Sequence, residues 1–230
     1  MDLSGKVLAV SGSDGALGRA VAATLGGYGA RLALLEHAQA AAGAAPAGAV
    51  RFGGVDLSDA AAARTLMQRV VDTMGRLDGL INIAGGFRFE KLAGGTPEVW
   101  DAMYKINLRT AVVACQAALP YLEKNGGGRI VNVGAMGAIK AGAGMGAYAA
   151  SKAGVAQLTE ALADELKDRG ITVNAILPGT LDTAKNRLDM PQADFSRWVA
   201  PADAAEVIAF LLSDQARAVT GALIPVVGRG

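Results

Sequence analysis

Lys6-Val-Leu-Ala-Val-Ser-Gly-Ser-Asp-Gly-Ala-Leu-Gly18 begins as an apolar run, breaks into glycines and resumes as a helical pattern. Lys6–Ser11 reads as a strand, and Leu17–Tyr28 carries apolar residues at helical spacing. The glycines between them let the backbone come close to a pyrophosphate. The helix N-terminus beyond supplies amide donors and the positive end of a dipole. The spacing is looser than a strict G-x-G-x-x-G fingerprint, so the turn alone does not settle its ligand. It does start a βα unit.

That alternation continues outward. Arg31–Leu35, Val50–Gly53, Leu77–Ile83, Arg129–Val133, Ile171–Leu177 and Leu223–Val227 read as strands. Between them lie helical stretches: Ser58 to Met74 with Ser58 as N-cap, Pro97 to about Leu122 with Pro120 bending or ending it, Ala147 to Arg169 stopped by Gly170, and Pro201 to Ser213. Thr96-Pro97-Glu98 has the cap, first-position proline and first-turn acid of a helix start. Alternating strands and helices predict an α/β fold, a Rossmann-like doubly wound parallel sheet with helices on both faces. No linker divides the chain, so residues 1–230 are expected to form one domain. Gln39–Ala49, rich in Ala and Gly, reads as a surface loop.

Composition narrows the function. Of 230 residues 52% are hydrophobic, enough for one large core, and the net charge of +1 gives no field for nucleic acid or an anionic membrane. Aromatics are sparse and no Lys/Arg cluster forms, which argues further against nucleic acid. His37 is the only histidine, so neither a His-rich metal site nor a Ser-His triad is expected. Cys115 is the only cysteine, which fits a reducing compartment. With no leader and no membrane-length apolar run, a soluble cytoplasmic protein is expected.

The glycine turn defines a candidate cofactor site through Gly12, Asp14, Ala16, Leu17 and Gly18. Glu36, closing the second strand, can hydrogen-bond ribose hydroxyls and repel a 2′-phosphate. No Arg or Lys adjoins it or lies within Ser11–Leu17. NAD(H) is therefore preferred, with Arg19 just past the turn keeping NADP(H) open. Asp56-Leu57 after the third strand could flank an adenine. Asn82, Ala84 and Gly85, in Asn-Ile-Ala-Gly after the fourth, would lie under the dinucleotide.

Tyr148 and Lys152, in Tyr-Ala-Ala-Ser-Lys, fall one helical turn apart on one face. An ammonium beside a phenol favours the phenolate and lowers the phenol pKa from about 10. Taken together with the glycine turn, Asn82-Ile-Ala-Gly85, Asn107 and Pro178-Gly179, the chain resembles the short-chain dehydrogenase/reductase family over nearly its whole length. The resemblance implies that Tyr148 delivers or removes the substrate proton, that Lys152 holds the nicotinamide ribose, and that Asn107 positions a water linking Lys152 to solvent. It implies cofactor contacts from Pro178, Gly179, Leu181 and Thr183, and pairing of subunits into dimers or tetramers through Pro97–Leu122 and Ala147–Arg169.

One position departs from the family. Ala135 stands where a substrate-polarising Ser is usual, and loss of one oxyanion donor typically costs about 10²–10³ in rate. Ser151 is turned away from the Tyr148 face and is no replacement. The stretch Thr180-Leu-Asp-Thr183, Asn186-Arg187, Met190-Pro191 and Ala193-Asp-Phe-Ser196, with Trp198, is similar to that of the dihydropteridine reductase subgroup, which also has Ala at this position. That resemblance implies hydride transfer from NADH to a quinonoid dihydropterin-like acceptor, with Gly86, Ala135, Asn186, Phe195 and Trp198 around the substrate. The alternatives are a carbonyl or quinone reductase and a catalytically weak dinucleotide-binding sensor or structural protein.

Overall fold

A computed structural model describes residues 1–39 and 45–229; the middle of the Gln39–Ala49 loop lies outside the described residues. Seven strands form one sheet: β1 (Val7–Ser11), β2 (Arg31–Leu35), β3 (Val50–Phe52), β4 (Gly79–Asn82), β5 (Gly128–Val133), β6 (Ile171–Pro178) and β7 (Leu223–Val226). Their order is β3-β2-β1-β4-β5-β6-β7, and every neighbouring pair is parallel. This is the doubly wound α/β sheet that the alternating pattern predicts.

Period-2 alternation sends each strand's side chains to two cores. On β1, Leu8 and Val10 join α1 (Ala16–Gly27) and α7 (Pro201–Leu212), while Val7 and Ala9 join α2 (Ala60–Met74), α4 (Thr110–Lys124) and α5 (Gly146–Leu166). Both faces are covered, so the strands read as unbroken apolar runs. Leu8 is fully buried, and truncating such a residue to Ala costs about 2–5 kcal/mol. Among the described residues no helix is long and apolar enough to cross a membrane.

Three helix details differ from expectation. Asp59, not Ser58, caps α2, because its carboxylate accepts from the amides of Ala61 and Ala62. Ser58 is already engaged, its amide and hydroxyl both donating to Asp56. The stretch expected as one helix from Pro97 is α3 (Pro97–Met103), a π-helical turn at Tyr104–Arg109, and then α4. Pro120 does not end α4, which continues to Lys124. Pro120 and Gln116 are both exposed, so the proline falls on the solvent side of the helix.

The strand order reverses about β1, and the crevice that positions the site opens between the carboxyl ends of β1 and β4. Ser11 Oγ locks this edge by accepting from the amides of Ile83 and Ala84.

Candidate active site

Gly12 has φ +67°, and a Cβ there would stand 2.9 Å from the Ala84 backbone. Only glycine lets β1 turn this close to β4. Gly18 is packed against the Gly12 carbonyl, which draws the first turn of α1 down onto the loop. No side chain caps α1, and its first turn holds no acid. Its leading amides and positive dipole end therefore suit an anion such as a pyrophosphate.

Gly12, Glu36, Asp56, Leu57, Ala84 and Gly85 line one groove of about 350 Å³ beside this turn. Glu36 Oε1 accepts from Ser13 Oγ and from the Asp14 amide, both at 2.6 Å. Asp56 accepts from Ser58 and lies 3.2 Å from Lys105. The Ser58 hydrogen bonds, followed by the Lys105 charge, hold its carboxyl down at about 2. Asp56 is thus anchored by the Ser58 backbone at the edge of the groove. Asn82 departs from its expected place. Its side chain is buried and donates to Asn132 and Cys115, because its register partner on β5 is Asn132. Its amide therefore braces β4 against β5.

Tyr148 lies in the first turn of α5, and Lys152 follows one turn on. Lys152 Nζ donates to the Val133 carbonyl at 2.7 Å, tying α5 to the end of β5. Burial pulls this ammonium down to about 8. It also pushes the Tyr148 phenol up from its ordinary value, opposite to the expected lowering. Desolvation of the phenolate is the cause.

Asn107 sits buried in the π-helical turn. Its Oδ1 accepts from the Gly86 amide at 2.9 Å, and its Nδ2 donates to the Gly86 carbonyl and to Ser151 Oγ, each at 3.0 Å. That uses both amide protons, so the side chain has none left for a water. Instead it fixes the loop after β4. A Cβ on Gly85 would meet Asn107 Oδ1 at 2.5 Å and Lys152 Nζ at 3.5 Å, so this loop links groove to relay.

Residues 6–193 match the profile of the short chain dehydrogenase family. The chain belongs to the short-chain dehydrogenase family. It is 32% identical to 2-(S)-hydroxypropyl-CoM dehydrogenase 3 of Xanthobacter autotrophicus, over 98% of this chain and 96% of that one. It is 35% identical to the 3-oxoacyl-acyl-carrier-protein reductase FabG of Pseudomonas aeruginosa, over 99% and 98%. Carveol dehydrogenase from Mycobacterium avium, solved in complex with NAD, superposes with a TM-score of 0.86 at 29% identity, over 97% and 96%. This short-chain dehydrogenase is accordingly an oxidoreductase, and the names of these three proteins do not include a pterin reductase.

The remaining predicted residues gather at the carboxyl end of β6. Pro178 ends the strand, and Gly179 donates to the Val226 carbonyl. Leu181 bridges to Val199. Thr183 caps α6 (Ala184–Asp189), its Oγ1 accepting from the Asn186 amide and keeping its own proton to donate. Asn186 Nδ2 donates to the Leu181 carbonyl, which leaves its second amide proton and Oδ1 for other partners. Phe195 and Trp198 pack on each other at 4.7 Å, and the Arg187 guanidinium lies over the Phe195 ring. Gly86 has both backbone groups held by Asn107, which fixes the loop at this point.

Two side chains at the site escaped the sequence reading. Phe87 meets the Tyr148 ring edge-to-face at 5.1 Å and is 52% exposed. Its signal was an aromatic directly after Gly85-Gly86. Arg51 pairs with Asp14 at 2.6 Å. Nothing in the linear sequence near the turn signals it, because only the β2–β3 register brings it there.

Proposed function

We propose that this chain is an NAD(H)-dependent reductase of a flat, quinonoid dihydropterin-like acceptor, with Tyr148 as proton donor. The observation that carries the reading is the immediate surroundings of Tyr148. The phenol has the Phe87 ring at its side, and Ala135 brings no hydroxyl to polarise a carbonyl. A quinonoid ring is already electron-poor and needs a nearby acid more than an oxyanion donor.

The residues present fit a dinucleotide. The uncapped start of α1 suits its pyrophosphate, Glu36 its adenosine ribose, the Asp56-Leu57 edge its adenine, and Lys152 with Thr183 its nicotinamide end. When bound, NADH supplies the hydride. The chain's own part is to hold the acceptor and move a proton. Tyr148 Oη gives its proton to the acceptor nitrogen while two electrons arrive with the hydride, and the phenolate is re-protonated from solvent. Burial keeps the phenol protonated at neutral pH, the state a donor needs. The Lys152 ammonium steadies the phenolate once it forms. Asn107 acts as a positioning residue through Gly86 and Ser151.

A second reading, a carbonyl reductase, is favoured by the relatives. A 3-oxoacyl reductase and a hydroxypropyl dehydrogenase stand among proteins matching nearly the whole chain. Loss of nicotinamide absorbance with chemically generated quinonoid dihydropterin, run beside a ketone panel, separates the two. Fast NADH oxidation with the pterin supports the first; turnover confined to ketones overturns it.

The proposal extends to a homo-oligomer, dimer or tetramer, in which a partner covers Trp100 and Tyr104, both exposed on α3 and the π-helical turn. Light scattering of the purified protein tests this. A cytoplasmic site of action is supported by the single buried free thiol, Cys115.

A further inference from the structure

We propose that the Asp14–Arg51 ion pair is a second element of cofactor selection: it occupies a guanidinium on the sheet face that carries Glu36, and so holds the site to NAD(H). This rests on the reading of Glu36 as the ribose partner and deepens it.

The pair belongs to the same small assembly as Glu36. The Asp14 amide donates to Glu36 Oε1, and the Asp14 carboxylate takes Arg51 Nη1 at 2.6 Å. Arg51 is in register with Leu34 on β2, and Glu36 lies two residues beyond Leu34. Parallel neighbours and alternate residues share a face, so Arg51 and Glu36 share the face that carries the glycine turn. The side chains of Arg51 and Asp14 are only 23% and 14% exposed, so salt screens the pair weakly. Arg19, the other cation here, is spent on the Asp14 backbone carbonyl.

A 2′-phosphate brings a charge of about −1.5 to −2 and is best met by a guanidinium fork. In this chain the Arg51 fork already holds a carboxylate, and a second carboxylate, Glu36, stands beside it. NADP(H) would have to displace Asp14 from Arg51 and bear repulsion from both acids. Removing the Asp14 carboxylate takes one negative charge from this assembly, and the balance of charge around the ribose becomes more positive. One charge-assisted hydrogen bond gained in this way corresponds to about a tenfold change in affinity.

The test is equilibrium binding, read by quenching of protein fluorescence, of NADH and NADPH to the full-length protein and its variants. Displacement by 2′,5′-ADP and 5′-AMP isolates the adenosine half. Wild type is expected to favour NADH. Asp14→Ala should tighten NADPH and 2′,5′-ADP about tenfold and change NADH and 5′-AMP much less. Asp14→Asn, which keeps the side-chain volume of the turn, should move both in the same direction. Adding Arg51→Met to Asp14→Ala should abolish the gain. If wild type prefers NADH but the Asp14 variants gain no NADPH affinity, or keep the gain without Arg51, the inference falls and the Glu36 reading stands. If wild type binds neither dinucleotide, or prefers NADPH, both fall together.

Discussion

Around the glycine turn the acids are held in place by the protein itself, whereas Tyr148 is packed among apolar groups, Val99, Met103, Ala147 and the Phe87 ring. Glu36, Asp14 and Asp56 each hold at least one hydrogen bond or ion pair before any ligand arrives. Beside Tyr148 stand Phe87, at 52% exposure, and the Ala135 segment, with the Phe195–Trp198 pair farther along the chain. The first region is preorganised for one set of polar groups, which makes it selective. The second presents apolar surface and a ring face, which single out no one polar group. Nearly full-length relatives named for different substrates fit that division: a fold keeps its cofactor half and varies the other.

The comparison breaks first at Tyr148. Tyr148→Phe keeps the ring and its contact with Phe87 but removes the only proton assigned to the acceptor. Turnover should fall about 10²–10⁴-fold, while NADH titration stays near wild type. Undiminished turnover would place the donor elsewhere. The next effect is a gain. Ala135→Ser restores the hydroxyl that the family usually carries at this position and should raise turnover on a ketone panel by up to about 10²-fold, with little benefit for a quinonoid ring. No gain on any ketone would mean that the acceptor pose, and not the missing donor, governs the site.

Lys152 joins the two regions, and its titration has a sign. The folded ammonium is depressed to about 8 by burial. As pH rises through about 8 the cation that would steady the phenolate is lost, so the reduction rate should fall there, while Tyr148, raised by burial, stays protonated. Lys152→Met should lower the rate at neutral pH and flatten this limb of the profile. Stability runs the other way. The unfolded chain binds this proton more tightly, so wild type should become more stable as pH rises from about 8 towards the ordinary lysine value. Thermal melts on either side of pH about 8 should show that gain in wild type and not in Lys152→Met.

The sheet could be read from the sequence because each strand is buried on both faces and each helix has one apolar stripe, both periodic signals. The glycine turn, Glu36, Asp56, Tyr148 and Lys152 were also readable, since each lies beside a strand end or within one helical turn of its partner. Contacts across the sheet were not. Arg51 reaches Asp14 only through the register of β3 on β2, and Asn82 turns to Asn132 only because β4 lies beside β5. The rise in the Tyr148 pKa was hidden for a related reason. Spacing gives the distance to a neighbouring charge but not the amount of water removed. Asn107 was readable as a residue of this region, but its hold on Gly86 was not, because Gly86 lies on a loop that periodicity does not describe.

Within the polar region, Glu36→Ala should weaken NADH about tenfold through loss of charge-assisted hydrogen bonds. NADPH, already repelled by that carboxylate, should change less in a parallel titration. Equal losses for both would mean that Glu36 only braces Ser13 and Asp14.

The smallest expected effect bears most directly on the acceptor. The Phe87 ring is fixed edge-to-face against Tyr148 yet presents half its surface to solvent. A flat acceptor positioned to receive a proton from Tyr148 Oη would stack against that ring, and aromatic pairs are worth about 0.5–1.5 kcal/mol beyond their buried area. Phe87→Leu keeps the apolar bulk and removes the π face. KM for a quinonoid dihydropterin should rise about three- to tenfold, with kcat nearly unchanged because the proton donor is intact. KM for a small aliphatic ketone should hardly move, since such a substrate has no ring to stack. If KM rises equally for both substrates, Phe87 is a generic apolar wall, and the acceptor half selects by volume alone.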